Sequence, residues 1–291
     1  MSTKNINAII APPPPHMVGD GFRVHSFFPD ARLIGKNGMS PFFLMDYGAK
    51  IEFGPSKNPR GVGVHPHRGF ETVTIAYHGR IAHHDSAGNS GIIGQGDVQW
   101  MTAASGLLHK EYHEESYSKT GGPFQMVQLW VNLPAKYKMT PPKYQEITNG
   151  IMGKHNLPGD SGFIEVIAGS YNGTNGAATT FTPMHVMNAR LNKGGVAEFS
   201  FPANYNTGAL VIEGSLRVNG QDVPADHFVY FGHEGENFTV EATEDAVLLV
   251  LSGEPIDEPI AAYGPFLMNT WEEVEQAMKD VNAGKFGVLE D

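Results

Sequence analysis

The chain has 291 residues, 31 acidic against 20 basic side chains, a formal charge of -11 and no cysteine. The length is enough for one large β-domain or two ordinary ones, and the acidic balance argues against a basic nucleic-acid surface and gives no reason to expect binding to anionic membranes. Without thiols there are no disulfides, iron–sulfur clusters or zinc–thiolate sites, so any metal must be held by nitrogen and oxygen.

The N-terminal MSTKNINAIIAPPPPHM has no apolar run long enough for a signal peptide, and no later segment approaches a membrane span. A soluble, cytoplasmic protein is expected. Pro12 to Pro15 force an extended start that lies along the surface. From GFRVHSFFPD through MSPFFLMDYG, short apolar runs alternate with Gly, Pro and Asp, the pattern of strands and turns. TVTIAY, DVQWMTA and FQMVQLWVNLP continue the series. The polar, proline-rich stretch from about Pro134 to Gly162 reads as a linker. The organisation expected is two all-β domains, residues 1–140 and 141–291.

After the linker the strands resume with FIEVIAG, HVMNARL, AEFSFP, GALVIEGSLRVNG, HFVYFG, FTVEA and AVLLVLSG. A faint repeat lays TIAYHGRIAHHD over ALVIEGSLRVNG, pairing Gly79 with Gly214 and Ile81 with Leu216. Carried back without gaps, this register sets Ser200 and Pro202 against His65 and His67, and a second alignment sets Phe238 and Val240 against His109 and Glu111. The second domain is expected to lack metal ligands. The chain closes on an amphipathic helix in TWEEVEQAMKDVNAGKF, with Thr270 and Glu273 as a capping box and Gly284 as its stop. Its apolar stripe is Trp271, Val274, Ala277, Met278 and Val281.

Seven of the thirteen histidines lie between Val64 and His113. His65 and His67 are two apart, as are His109 and Glu111, and both pairs border strand-like runs. On a strand, residues i and i+2 share a face. If the two strand ends lie side by side, three imidazoles and one carboxylate converge on a metal site: His65, His67, His109 and Glu111. One strand histidine alone would read as a packed residue. This ligand set suits an open octahedral ion such as Fe(II), Mn(II), Ni(II) or Co(II), with zinc also possible, and does not choose among them. His78, His83, His84 and His113 are read as surface or supporting residues. Glu71 is read either as a partner orienting a ligand histidine or as a turn residue. Phe43, Phe70, Trp100, Met101 and Phe124 are candidates for an apolar cavity as much as for plain core.

HPHRGFET, GDVQWMTAASGLLHKE and YGPFLMNT together resemble the signature segments of the pirins, two-domain members of the cupin superfamily. The likeness extends over most of the chain. It implies a bicupin of two antiparallel β-barrels with a metal in the first alone, held by the histidines of HPH and by the His and Glu of the later HxE segment, here His65, His67, His109 and Glu111. Two functions follow as expectations. One is a metal-dependent dioxygenase that opens flavonols such as quercetin with O2 and releases carbon monoxide, with Glu111 as the catalytic proton acceptor and a small aromatic molecule as substrate. The other is a redox-sensing regulatory protein whose metal acts through a protein partner.

Overall fold

The alternating apolar runs form antiparallel strands in the computed structural model, which describes residues 2–29, 34–35 and 38–290. Asp30, the last residue of the GFRVHSFFPD segment, lies outside the described residues. The chain divides into two compact units, each drawn from separated segments. One gathers residues 1–13, 27–41 and 150–255, and the other residues 14–26, 42–149 and 256–291.

The unit containing His65 has a seven-stranded sheet in the order Lys143–Ile147, Val98–Thr102, Phe70–His78, Gly122–Asn132, Phe42–Phe53, Phe22–Phe28 and His16–Val18. A four-stranded sheet in the order Gly61–His67, Leu107–His113, Ile81–Asp85 and Ser90–Ile93 belongs to the same unit. Phe70–His78 lies centrally and is buried along almost its whole length, which its β-branched and aromatic residues suit.

The second unit repeats this plan. Its seven-stranded sheet runs Ile6–Ile10, Phe228–Phe231, Asn206–Glu213, Ala246–Gly253, Met184–Leu191, Gly162–Ala168 and Gly153–Asn156, and its four-stranded sheet runs Val196–Ser200, Asn237–Ala242, Leu216–Val218 and Gln221–Val223. The repeat that is faint in sequence is therefore matched strand for strand. Register refines one correspondence. His109 pairs with His65, and Phe238 pairs with Phe199; Leu107 pairs with His67, and Phe201 donates its N–H to Glu236 O. The counterparts of His65 and His67 are thus Phe199 and Phe201, one position from the gapless expectation of Ser200 and Pro202. The connection into the next strand is one residue longer in the second unit. Phe199 stacks on Phe238 at 5.0 Å and lies 6.2 Å from Phe201, within a buried apolar cluster.

Three other expectations are corrected. The N-terminal arm is more than a surface tail, because Ile6–Ile10 pairs with Phe228–Phe231. The stretch read as a linker contributes Lys143–Ile147, paired with Val98–Thr102, and Gly153–Asn156, paired with Gly162–Ala168. Both are short and polar, as edge strands are, so the hydrophobic pattern is silent on them. The C-terminal helix, Trp271–Asn282, has the capping box of Thr270 and Glu273. Its stripe is narrower than expected: Val274 and Ala277 are buried with Phe266, Met268 and Phe286, while Trp271 and Met278 are 59% and 41% exposed.

Lys138 ties three segments of the histidine-bearing unit together. Its Nζ donates to Gly69 O at 2.8 Å, Asn132 Oδ1 at 2.6 Å and Leu267 O at 2.7 Å. Burial lowers its pKa to about 7, but three acceptors match the three protons of an ammonium, which a neutral amine cannot supply. Lys138→Met, which leaves all three oxygens without this donor, is expected to destabilise the fold by about 3 kcal/mol, read as a lower guanidinium midpoint at unchanged slope.

Candidate metal centre

The strand Gly61–His67 carries two of the three histidines, and a local irregularity aims them. His109 pairs with His65 but Glu111 pairs with Val62, so two steps on one strand oppose three on the other. That extra residue is a β-bulge at Gly63 and Val64. Gly61 permits the close pairing beyond it, since a Cβ there would stand 2.3 Å from Glu111 O.

His65, His67 and His109 offer nitrogens that all lie within 4.8 Å of one another. The Nε2 atoms of His65 and His67 are 3.0 Å apart. Nδ1–H of His65 donates to Gly63 O at 2.8 Å, which leaves Nε2 with its lone pair toward the cluster. His67 and His109 are 3% and 0% exposed. Burial lowers the pKa of His65 against its bond to Gly63 O, and burial with the neighbouring imidazoles adding to it takes those of His67 and His109 well below the usual imidazole value. All three are neutral donors. Two nitrogens bound at about 2.1 Å and at a right angle are roughly 3 Å apart, so the spacing of His65 and His67 fits two adjacent positions on one ion.

Glu111 adjoins the cluster, with Oε1 4.0 Å from His109 Nε2. Thr74 Oγ1 donates to its Oε1 at 3.2 Å and Gln128 Nε2 to its Oε2 at 3.3 Å. Burial raises its carboxyl to about 7 against those two bonds. Gln99 Nε2 is 3.4 Å from His109 Nε2. Trp130 stacks on Phe70 at 4.2 Å, and their rings lie 5.6 and 5.2 Å from that of His67.

The remaining candidates divide. His83 is buried, 6.2 Å from the His109 ring, with Nε2 2.7 Å from the Tyr144 hydroxyl. His113 is neither a surface nor a supporting residue: it stacks on Phe124 at 4.6 Å, and its Nε2–H donates to Gly21 O at 2.8 Å. Phe124 belongs to that same cluster rather than to the metal centre. His84 stacks on Tyr112, and half-buried His78 ends its strand. Glu71 accepts from Thr102 Oγ1 at 2.7 Å and, three residues from Thr74, points to the opposite face of its strand; Trp100, across from Val73, shares that opposite face. Met101 packs with Ala103 and Leu107, and Phe43 with Phe70 and Leu267. Sequence reading missed Thr74, Gln99, Gln128 and Trp130. The signal was available: polar residues at alternate positions of apolar strands mark a polar lining on one face.

Residues 21–131 match the Pirin family model, and residues 186–287 match that of the Pirin C-terminal cupin domain. The chain belongs to the pirin family. Its fold is the pirin bicupin. A Pseudomonas aeruginosa protein provisionally named quercetin 2,3-dioxygenase is 46% identical over 271 residues, covering 93% of this pirin and 94% of that protein. The crystal structure of quercetin 2,3-dioxygenase from Acinetobacter baumannii matches with a TM-score of 0.93 at 45% identity, over 99% of this chain and 100% of that one. A bacterial pirin from Escherichia coli, solved in complex with nickel(II), shares the fold at a TM-score of 0.65 and 18% identity, over 86% of this chain and 99% of that one. Among the described residues no helix is long and apolar enough to cross a membrane.

His109→Ala is expected to remove most bound metal, measured by elemental analysis after dialysis against limiting metal, while the circular dichroism of the barrel is kept. A second prediction concerns Glu71, whose carboxyl burial raises from 4.5 to about 7. Folding then takes up a proton between these values, so stability falls as pH rises through that window. Glu71→Gln is expected to make the fall shallower by up to about 1.4 kcal/mol per pH unit, in urea titrations at pH 5, 6 and 7.

Proposed function

We propose that this pirin is a metal-dependent dioxygenase that cleaves flavonols such as quercetin with O2 and releases carbon monoxide. The observation that carries the reading is the convergence of three neutral imidazoles beside a buried carboxyl. The near full-length likeness to a protein provisionally named quercetin 2,3-dioxygenase supports the substrate class. His65, His67 and His109 hold the ion and Glu111 is its fourth ligand. Fe(II) is the ion of this reading, with Mn(II), Ni(II), Co(II) and zinc as alternatives.

When bound, the ion supplies Lewis acidity that lowers the pKa of the flavonol 3-hydroxyl. Glu111 receives that proton on a carboxylate oxygen. Its position for the transfer is set by Thr74 and Gln128, one on each oxygen. Trp130 and Phe70 form an apolar flank beside His67 that keeps water from the aromatic substrate. In the overall reaction both atoms of O2 enter the ring-opened ester, and one ring carbon leaves as carbon monoxide.

The test is loss of quercetin absorbance, with carbon monoxide detection, by protein reloaded separately with Fe(II), Mn(II), Ni(II) and Co(II). Turnover with at least one metal, reduced at least a hundredfold in His65→Ala and Glu111→Ala, is expected. Full metal occupancy without turnover for any ion overturns the reading. It then favours the regulatory alternative, in which affinity for a protein partner differs between Fe(II) and Fe(III).

A further inference from the structure

Along Gly122–Asn132, Val127, Leu129 and Val131 are wholly buried while Gln128 and Trp130 between them are half-buried. The neighbouring strand repeats the alternation: Met45 and Tyr47 are wholly buried, Leu44 and Asp46 half-buried. Register joins these positions into rows. Gln128 pairs with Thr74 on one side and Asp46 on the other, and Trp130 pairs with Thr72 and Leu44. Directly paired residues project from the same face of a sheet. Thr74 and Gln128 both donate to Glu111, so this half-open face is a wall of the metal centre. Solvent reaches the wall, and a substrate can follow the same route.

The wall has two characters. Leu44 and Trp130 are apolar, and Trp130 is already stacked on Phe70. Gln128 and Asp46 are polar, and from the strand beyond, Ser26 Oγ donates to Asp46 Oδ1. Asp46 stands one strand spacing, about 4.8 Å, beyond Gln128. As a carboxylate it accepts hydrogen bonds and donates none. Its complement is a hydroxylated ring.

We propose that Asp46 determines specificity at this site by accepting hydrogen bonds from phenolic hydroxyls on the substrate's pendant ring, which lies along the wall beside Trp130. The inference rests on the dioxygenase reading for its substrate class. In a flavonol the pendant ring is joined to the carbon next to the one bearing the 3-hydroxyl. With that hydroxyl at Glu111, the ring extends past Gln128 toward Asp46. A catechol presents two adjacent donors to a carboxylate whose oxygens can each accept more than one hydrogen bond, Oδ1 already accepting from Ser26.

The experiment compares quercetin, which has a catechol pendant ring, with galangin, whose pendant ring has no hydroxyls. Both are titrated without O2 into metal-loaded protein, and tryptophan fluorescence reports binding. The wild type is expected to bind quercetin more tightly than galangin. Asp46→Asn is expected to weaken quercetin about tenfold and leave galangin unchanged, at unaltered metal content and unfolding midpoint. Asp46→Ser gives the same pattern by removing the carboxylate differently. Equal losses for both ligands, or no loss for quercetin, overturn the inference. Turnover is scored separately under O2. Discrimination that depends on Asp46 without carbon monoxide release leaves the inference standing and overturns the dioxygenase reading. Carbon monoxide release with discrimination unchanged in Asp46→Asn overturns the inference alone.

Discussion

The Nε2 atoms of His65 and His67 stand 3.0 Å apart, with a His109 nitrogen within 4.8 Å of both, and the histidine-bearing unit depends on holding these three imidazoles together. Burial disfavours protonation of His67 and His109, so the cluster does not fill with charge. The bulge at Gly63 and Val64 sets the direction of His65, and Gly63 O fixes which of its nitrogens keeps the lone pair. Thr74 and Gln128 then hold Glu111 at the edge of the cluster instead of letting it swing to solvent. Each of these features is local and weak by itself. Together they present a set of preorganised, desolvated donors of the kind that can hold a metal ion.

The second unit is the natural control for this argument. It has the same strand order in both sheets, yet Phe199, Phe201 and Phe238 occupy the positions of His65, His67 and His109. Ring stacking within a buried apolar cluster fills the interior there. The architecture therefore requires only that these positions be filled. What fills them differs, imidazoles in one unit and phenyl rings in the other, so fold and side-chain chemistry are separable here.

Much of this was legible in the sequence for a physical reason. Strands with an inner and an outer face alternate polar and apolar residues, and TVTIAY, AVLLVLSG and the i, i+2 histidine pairs all follow from that period. The capping box at Thr270 and Glu273 is equally local. What was not legible depends on register. Phe199 and Phe201 could not be matched to the histidines without knowing that one connection is a residue longer. His113 continues the i, i+2 series of His109 and Glu111, but packing against Phe53 and Phe124 makes it core. The edge strands Lys143–Ile147 and Gly153–Asn156 were hidden because edge positions tolerate the polar, proline-flanked composition of a loop. Asp46 and Gln128 acquire meaning only when cross-strand pairing puts them in one row.

The exchange of chain ends has a consequence for how the molecule is made. Ile6–Ile10 is made long before its partner strand Phe228–Phe231, so it stays without that partner while the intervening chain is synthesised. The histidine-bearing unit waits in the same way, because residues 256–291 supply its last segment, including the Arg68 to Asp280 ion pair. Neither unit can finish before almost the whole chain exists. Pairing over such sequence separations is slow, and the exposed edges of the nascent strands are open to mispairing meanwhile. A chain cut before Phe228 leaves Ile6–Ile10 without its partner strand, and one cut at residue 255 still leaves the histidine-bearing unit without its last segment.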